Sequence, residues 1–111
     1  MRITKSNINQ FIEGSKMDCS NKGITHIEYI PDGITRLDCN NNQLTELPKL
    51  PESLKRLFCN SNRLTELPKL PNSLTGLYCE HNNLPYKVTS ENLKEHNTLL
   101  KRKQILSKIC T

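Results

Sequence analysis

The sequence predicts an α/β repeat fold, in which short strands from successive units form one parallel β-sheet and a helix closes the chain. Three observations support this prediction. A pattern recurs every 20 residues, as from Cys19 to Cys39, through most of the 111-residue chain. Each copy contains a short alternation of apolar and outward residues. A stretch with helical spacing of apolar residues follows the last copy.

The period is set by four cysteines and by residues at fixed distances from them. An apolar residue stands two positions before each cysteine and another stands five positions after it. Asparagine stands three positions after the last three cysteines. These residues are Cys19, Cys39, Cys59 and Cys79; Met17, Leu37, Leu57 and Leu77; Ile24, Leu44, Leu64 and Leu84; and Asn42, Asn62 and Asn82. Agreement at one period predicts about four repeats over residues 14–85.

The unit at residues 54–73 shows why this spacing forms a strand and a return. Leu57 and Cys59 alternate with outward residues, which predicts a short strand with one buried face. Pro68 and Pro71 favour an extended return. Too few residues remain for an α-helix, so we expect the far side to be extended or to form a 3₁₀ turn. Equivalent strands would lie about 4.8 Å apart.

The cysteine and asparagine columns are interpreted as structural. Cysteines in file on a parallel sheet point the same way, so they neither surround a metal ion nor face each other for disulfides. Buried cysteine packs as a small apolar side chain. The asparagine amides can satisfy the backbone of the turn and of the neighbouring repeat. Cys110 lies outside the period, and its state stays open.

Residues outside the period are expected to cover the ends of the repeats. Residues 1–13 would form an N-terminal cap and residues 86–111 a C-terminal capping helix. The helical pattern covers 90–110, with Ser90 as N-cap and basic residues toward the end. The apolar residues expected to cover the two ends are Ile3, Ile8, Phe11 and Ile12, and then Leu93, Leu100 (or Leu99), Leu106 and Ile109.

The repeat also resembles a known family. One unit reads L-x-x-L-x-C-x-x-N-x-L-x-x-L-P-x-L-P-x-S, which is similar to the leucine-rich repeat consensus with cysteine in the third apolar position. The Leu-Pro-x-Leu-Pro ending, at 47–51 and 67–71, resembles the short LPX subclass. That subclass is best known from effectors that bacterial pathogens deliver into host cells. The Asn-, Lys- and Ile-rich composition also suits an AT-rich genome, such as that of a large DNA virus.

This resemblance implies a leucine-rich repeat solenoid whose concave face, the parallel sheet, binds another protein. It also implies a location in the cytoplasm, that of a host cell for a pathogen or viral protein. The N-terminus has no apolar run of signal-peptide type, which agrees with this expectation. Such a module could also recruit substrate for an enzyme domain encoded elsewhere.

Outward side chains form columns on the predicted sheet. Core packing does not require their identities, so we expect them to carry information about a ligand. The face changes from charged at its N-terminal end to aromatic at its C-terminal end, and exposed aromatic residues are typical of protein contacts. The predicted partner-binding residues are Lys16, Asp18, Arg36, Asp38, Arg56, Phe58, Tyr78 and His81. Alternatively, the charges only solvate the sheet and Phe58 stacks on Tyr78 for local stability.

Charge is distributed unevenly along the chain, whose net charge is +5. Residues 1–84 hold ten Lys/Arg against nine Asp/Glu (+1), and residues 85–111 hold six against two (+4). A second hypothesis is therefore anion binding by Lys101, Arg102, Lys103 and Lys108, with phosphate, nucleic acid or an acidic membrane as ligand. A basic cluster at a helix end is more often a solvated face that complements the helix dipole, and no aromatic residues interleave to stack on bases, so nucleic acid or an acidic membrane is the less expected partner.

No catalytic or cofactor-binding arrangement is predicted. His26, His81 and His96 have no carboxylate or cysteine at catalytic spacing, and the four glycines are isolated. Some LPX effectors carry a ubiquitin-ligase domain after the repeats, but too few residues follow here for one, so Cys110 receives no such role. We expect a non-enzymatic module without metal, cofactor or small-molecule substrate, whose ends could stack on a second copy.

Overall fold

The structure is a computed structural model. It describes residues 1–85, 88 and 92–109, and for residues 93 and 103–109 it describes the backbone alone. Short strands and one long helix make up the described regular structure. They are β1 (Arg2–Ile3), a 3₁₀ helix (Ile8–Phe11), β2 (Ile12–Glu13), β3 (Lys16–Asp18), β4 (His26–Ile27), β5 (Arg36–Asp38), β6 (Arg56–Phe58), β7 (Gly76–Tyr78) and α1 (Leu93–Ile109). The predicted Ser90 cap, Glu91 and Cys110 lie outside the described residues.

The main sheet has the strand order β2-β3-β5-β6-β7. Strands β3, β5, β6 and β7 are parallel and pair with a shift of 20 residues, as in Leu37 with Leu57 and Leu57 with Leu77. These parallel strands confirm the predicted α/β repeat. Strand β2 pairs antiparallel with β3 and extends the sheet at its N-terminal edge. A separate parallel pair, β1 with β4, was not predicted by the period.

The core is a continuous apolar row that runs along the stacked repeats. Leu37, Leu57 and their neighbours in the cysteine column are fully buried. Burial decreases toward β7, where Leu77 and Cys79 are only half-buried. At the other end, Ile3, Ile8 and Phe11 are buried and Ile12 is half-buried, so residues before the first repeat share the core. The burial of these side chains contributes most of the stability of such a fold.

Each asparagine in the repeat bonds to two repeats at once. Asn62 donates from Nδ2 to the carbonyl oxygens of Cys39 and Cys59, at 3.0 and 3.3 Å, and its Oδ1 accepts the Leu44 amide at 3.1 Å. Asn42 and Asn82 make equivalent bonds. These side chains therefore satisfy backbone groups that the turn would otherwise bury without partners.

The chain turns through a left-handed residue three positions after the end of each parallel main strand. Asn21, Asn41, Ser61 and His81 have φ angles of 55, 58, 57 and 57°. Asparagine adopts this conformation more readily than most residues other than glycine. Core packing does not require the identities of these outward residues, but the backbone conformation accounts for asparagine at two of the four positions.

The cysteine column contains free thiols at Cys19, Cys39, Cys59 and Cys79. The Cys39 Sγ donates to the Phe58 carbonyl oxygen at 3.3 Å. Burial raises the pKa of Cys19 to about 12, and the nearby Asp18 carboxylate adds to this effect. Burial also raises the pKa of Cys39 and of Cys59 well above the ordinary range. These thiols are therefore protonated at neutral pH and act as apolar packing groups.

Helix α1 contacts the last complete repeat through polar side chains. Asn97 accepts the Leu70 amide and donates to the Leu70 carbonyl, both at 2.8 Å, and His96 Nε2 lies 3.1 Å from the Pro68 carbonyl oxygen. Since a carbonyl only accepts, this nitrogen must carry the proton. His96 is 4% exposed. Leu100 is half-buried beside an apolar cavity of about 160 Å³ between the helix and the repeats.

The predicted apolar stripe on this helix is only partly described. Leu99, which was one alternative for the buried position, is 48% exposed, so that alternative is wrong. The helix turns Leu99 outward because His96 and Leu100, at i and i+4, lie on the covered face. The side chains of the other predicted stripe residues, Leu93, Leu106 and Ile109, lie outside the description.

Candidate functional site

The outward side chains of β3, β5, β6 and β7 form two columns that we call the sheet face. The register aligns equivalent residues of the four repeats across the strands. Adjacent parallel strands are close enough for neighbours in a column to touch. The first column contains Lys16, Arg36, Arg56 and Gly76, and the second contains Asp18, Asp38, Phe58 and Tyr78.

A cation and two aromatic rings on the sheet face form one stack. The Phe58 and Tyr78 rings are nearly parallel, with 4.7 Å between centroids and 7° between planes. The Arg36 guanidinium carbon lies 4.7 Å from the Phe58 ring centroid. The structure thus brings three of the predicted partner-binding residues into direct contact. The stacking of Phe58 on Tyr78 is also what the local-stability alternative expects.

Arg36 is held tightly in this stack. Its side chain is half-buried, and its Nε is enclosed with no hydrogen-bond partner among the described residues. Leaving a buried donor without a partner costs about 1–3 kcal/mol, so the contact with the Phe58 ring must offset part of this cost. Arg56, the next residue of the column, remains exposed.

Gly76 ends the column of cations and makes room for Tyr78. A Cβ added at Gly76 would lie 3.4 Å from both Arg56 Cγ and Tyr78 Cε2. The space that a side chain would fill is therefore bordered by the stem of Arg56 and the edge of the Tyr78 ring. The glycine lets these two side chains pack over the backbone of β7.

The two aspartates of the second column also have a structural role. Asp18 Oδ1 accepts the Ser20 hydroxyl at 2.8 Å and the Ser20 amide at 3.2 Å, and Asp38 Oδ1 accepts the Asn40 amide at 3.2 Å. The bonds from Ser20 lower the pKa of Asp18, as do the nearby charges of Lys16 and Lys22. These aspartates fix the end of their strands, a role that the sequence did not reveal.

The next outward column forms a ladder of asparagines. Asn40 Oδ1 accepts the Asn60 amide at 2.7 Å, and Asn60 Oδ1 accepts the Glu80 amide at 2.7 Å. Glu80 ends this ladder and is exposed. The sequence indicated only that these residues face outward. It did not predict their hydrogen bonds, because bonds from a side chain to the neighbouring backbone produce no periodic pattern of apolar residues.

The remaining predicted site residues stay outside the stack. Lys16 and Asp18 are exposed at the N-terminal end of the sheet face, and His81 is exposed in the turn after β7. On α1, Lys101 and Arg102 are exposed. The side chains of Lys103 and Lys108, the other members of the predicted basic cluster, lie outside the described residues.

Other kinds of site were also sought in the described part of the chain. No group of three or more His, Cys, Asp or Glu side chains there could hold a metal ion. None of the described helices has the length and apolar character needed to span a membrane.

Comparison with known proteins identifies the repeat. No protein-family model and no curated protein matches the chain. Among solved structures, the chain is similar to YopM from Yersinia enterocolitica WA-314, with a TM-score of 0.60 and 42% sequence identity. The match covers 60% of this chain and 15% of the YopM chain. YopM has leucine-rich repeats, which are generally non-catalytic interaction modules. Together with the 20-residue register of the parallel strands, this similarity supports leucine-rich repeats in this chain.

Proposed function

We propose that this chain is a non-catalytic module that binds another protein through the sheet face, the concave side of a short solenoid. The observation that carries the proposal is the stack of Arg36, Phe58 and Tyr78. It places a cation and two aromatic rings side by side, and arginine and aromatic side chains contribute most at protein interfaces. Arg56 lies near the edge of the Tyr78 ring, and Lys16, Asp18, Asp38 and the exposed His81 extend the surface.

The subclass of the repeat, the bounds of the three segments and the location in the cell are part of this proposal. The Leu-Pro-x-Leu-Pro endings support membership of the LPX subclass. Residues 14–85 would form the repeats, residues 1–13 the N-terminal cap and residues 86–111 the C-terminal cap. The buried apolar side chains near the N-terminus and the bonds from α1 to residues 68–70 support these two caps. A cytoplasmic location accords with the free, protonated thiols of the repeats.

Two features of the sheet face argue for a protein ligand rather than a small molecule. The columns run across four parallel strands, so the candidate surface is extended rather than enclosed. Its side chains combine positive, negative and aromatic groups, which suits the mixed chemistry of a protein surface. The residues between these outward positions, such as Leu37 and Leu57, are buried in the core, so they do not distinguish one ligand from another.

Affinity capture with a matched pair of variants tests the proposal. The test variant carries Arg56→Ala, Phe58→Ala and Tyr78→Ala. The control variant carries Glu46→Ala, Lys49→Ala and Arg63→Ala, which alters three exposed residues outside the strands. We expect a partner protein captured by the wild type and the control to be lost from the test variant. Binding should then be repeated with the purified partner, by calorimetry.

The same experiment separates sheet-face binding from binding through the basic helix. Sheet-face binding should survive replacement of Lys101, Arg102 and Lys103 by Gln. Anion binding through the helix should collapse with these replacements and should fall steeply as salt rises. Equal capture by the wild type and the sheet-face variant, with circular dichroism showing both folded, would reject the proposal.

A further inference from the structure

The stack on the sheet face is closed at one end and open at the other. Strands β5 and β7 lie on opposite sides of β6, so Arg36 and Tyr78 cover opposite faces of the Phe58 ring. Tyr78 itself lies on β7, the last strand of the sheet. One face of its ring is covered by Phe58, yet the residue is 46% exposed. No described strand follows β7, so no further side chain of the sheet covers the other face of the Tyr78 ring.

The chemistry at the closed end indicates what the open end can bind. A ring face carries partial negative charge and attracts a cation, and a planar guanidinium also stacks on it. The chain already uses this arrangement where Arg36 covers Phe58. Arg36 belongs to β5, the strand before that of Phe58, whereas no described strand follows β7 in the sheet. The sheet therefore supplies no cation to the face of Tyr78 that points away from β6.

An exposed carboxylate, that of Glu80, follows Tyr78 closely along the chain. Glu80 follows Tyr78 by two residues, so both side chains project from the same side of the extended chain. The described hydrogen bonds of Glu80 involve its backbone, with its amide bonded to Asn60 and its carbonyl to Asn82. A carboxylate next to a ring matches a guanidinium, which can pair with the acid through its edge while its plane stacks.

We propose that the open face of Tyr78 binds an arginine side chain of the partner protein, with the guanidinium stacked on the ring and paired with Glu80. This inference deepens the proposed function, on which it rests, by naming the chemistry of one contact. Arginine is favoured over lysine because only the planar group stacks and bonds in this way. It is favoured over an aromatic side chain because only a cation also pairs with the Glu80 carboxylate.

Nuclear magnetic resonance titration of the whole chain tests this contact without requiring the natural partner. The probes are three blocked tripeptides, acetyl-Gly-X-Gly-amide, in which X is arginine, lysine or citrulline. Citrulline keeps the planar shape of arginine but has no charge. We expect saturable shifts of the Tyr78 ring and Glu80 signals with the arginine peptide, at a dissociation constant on the order of tens of millimolar. Binding should be at least about threefold weaker with lysine or citrulline.

Variants assign the response to the proposed groups. Tyr78→Leu should abolish the shift at Glu80, whereas Tyr78→Phe should retain most of the binding because the ring remains. Glu80→Gln should weaken arginine binding, and the charge-matched control Glu46→Gln should leave it unchanged. The Tyr29 ring, which already faces the Lys5 ammonium at 5.6 Å, serves as an internal control and should not shift.

The outcomes separate this inference from the proposed function. Equal binding of the citrulline or lysine peptide, or the absence of shifts at Tyr78, would overturn the arginine contact. The proposed function would still stand if capture of the partner depended on Arg56 and Phe58. Conversely, the arginine peptide could bind at Tyr78 while capture of the partner does not change when sheet-face residues are replaced. That result would support the contact chemistry and reject the wider proposal.

Discussion

Single polar side chains keep each turn of the repeat satisfied. Asn62 is 8% exposed. It donates hydrogen bonds to a carbonyl oxygen in its own repeat and to one in the preceding repeat, and it accepts one from an amide of the preceding repeat. The outward residues are less uniform in role. Asp18, Asp38 and Asn60 bond to their own or neighbouring strands, while Phe58 and Tyr78 contact each other and Arg36. At this scale, the residues with most freedom to serve a ligand are those of the stack and its border.

Replacement of one repeat asparagine should therefore destabilise the protein strongly. Asn62→Ala leaves buried carbonyl and amide groups without partners, and we expect the free energy of unfolding to fall by about 2–4 kcal/mol. Urea denaturation followed by circular dichroism measures this change. Asn72 is exposed, so Asn72→Ala is the matched control and should change stability by less than about 0.5 kcal/mol. Equal effects of the two replacements would contradict the bonding role of Asn62.

The burial of the cysteine column predicts how fast each thiol is alkylated. Burial raises the pKa of Cys39 and Cys59, so at pH 8 both are protonated and shielded from iodoacetamide. We expect native protein to label faster at the half-buried Cys79 than at either of them, and all three to label quickly in urea. Mass spectrometry of the digested protein gives the rates. Fast native labelling of Cys39 would refute its burial.

The same pKa shifts determine how stability changes at high pH. An unfolded cysteine loses its proton near the ordinary pKa of 9.0, whereas Cys19 in the folded protein keeps it until about 12. The unfolded state therefore binds fewer protons above pH 9, and the free energy of unfolding should fall as pH rises. Cys19→Ala should reduce this slope between pH 9 and 11 in urea denaturation. An unchanged slope would mean that Cys19 does not contribute.

Among the elements, strands were easier to predict than their connections and the final helix. The alternation at Leu57 and Cys59, repeated every 20 residues, locates β3, β5, β6 and β7 because one buried face has a period of two. The pair of β1 with β4 carries no such signal, since each strand has only two residues. Docking of α1 was expected to be apolar, yet His96 and Asn97 supply bonds to backbone that no sequence period encodes.

Loss of the Asn97 bonds should loosen α1 from the repeats. Asn97→Ala removes two hydrogen bonds to Leu70, and we expect destabilisation of about 1–3 kcal/mol. Hydrogen exchange should quicken in α1 while the amides of β5 and β6 stay protected. Thr98 is exposed one residue further along, so Thr98→Ala is the control and should leave exchange nearly unchanged. Uniform loss of protection across the sheet would show instead that α1 and the repeats unfold together.

Across the whole molecule, stability depends on the position of a repeat in the row. The structure is elongated, 41 × 26 × 25 Å, and each repeat packs against its neighbours rather than against a common centre. Leu37 lies between two neighbouring strands and is fully buried, whereas the equivalent Leu77 on β7 is half-buried. The sequence places Leu77 in the last repeat, but it also predicts a cap over that end from residues 86–111, so it does not reveal that Leu77 is only half-buried.

Truncation of these two leucines should therefore have unequal effects. Leu37→Ala should lower the free energy of unfolding by about 3–5 kcal/mol, since it opens a cavity in the packed interior. Leu77→Ala should cost roughly half as much, because its site is already partly exposed. The two variants remove the same atoms, so each controls for the other in urea denaturation. Equal losses would indicate that the end repeat is as tightly packed as the middle.

The bonds of the repeat asparagines all run toward earlier parts of the chain. Asn42, Asn62 and Asn82 each serve the backbone of the preceding repeat, and position 102, one period further on, holds Arg102. During synthesis, a repeat can then complete its hydrogen bonds only after the next one has left the ribosome. The nascent chain should gain structure from its N-terminus with a lag of one repeat, because each new repeat supplies hydrogen bonds to the one before it.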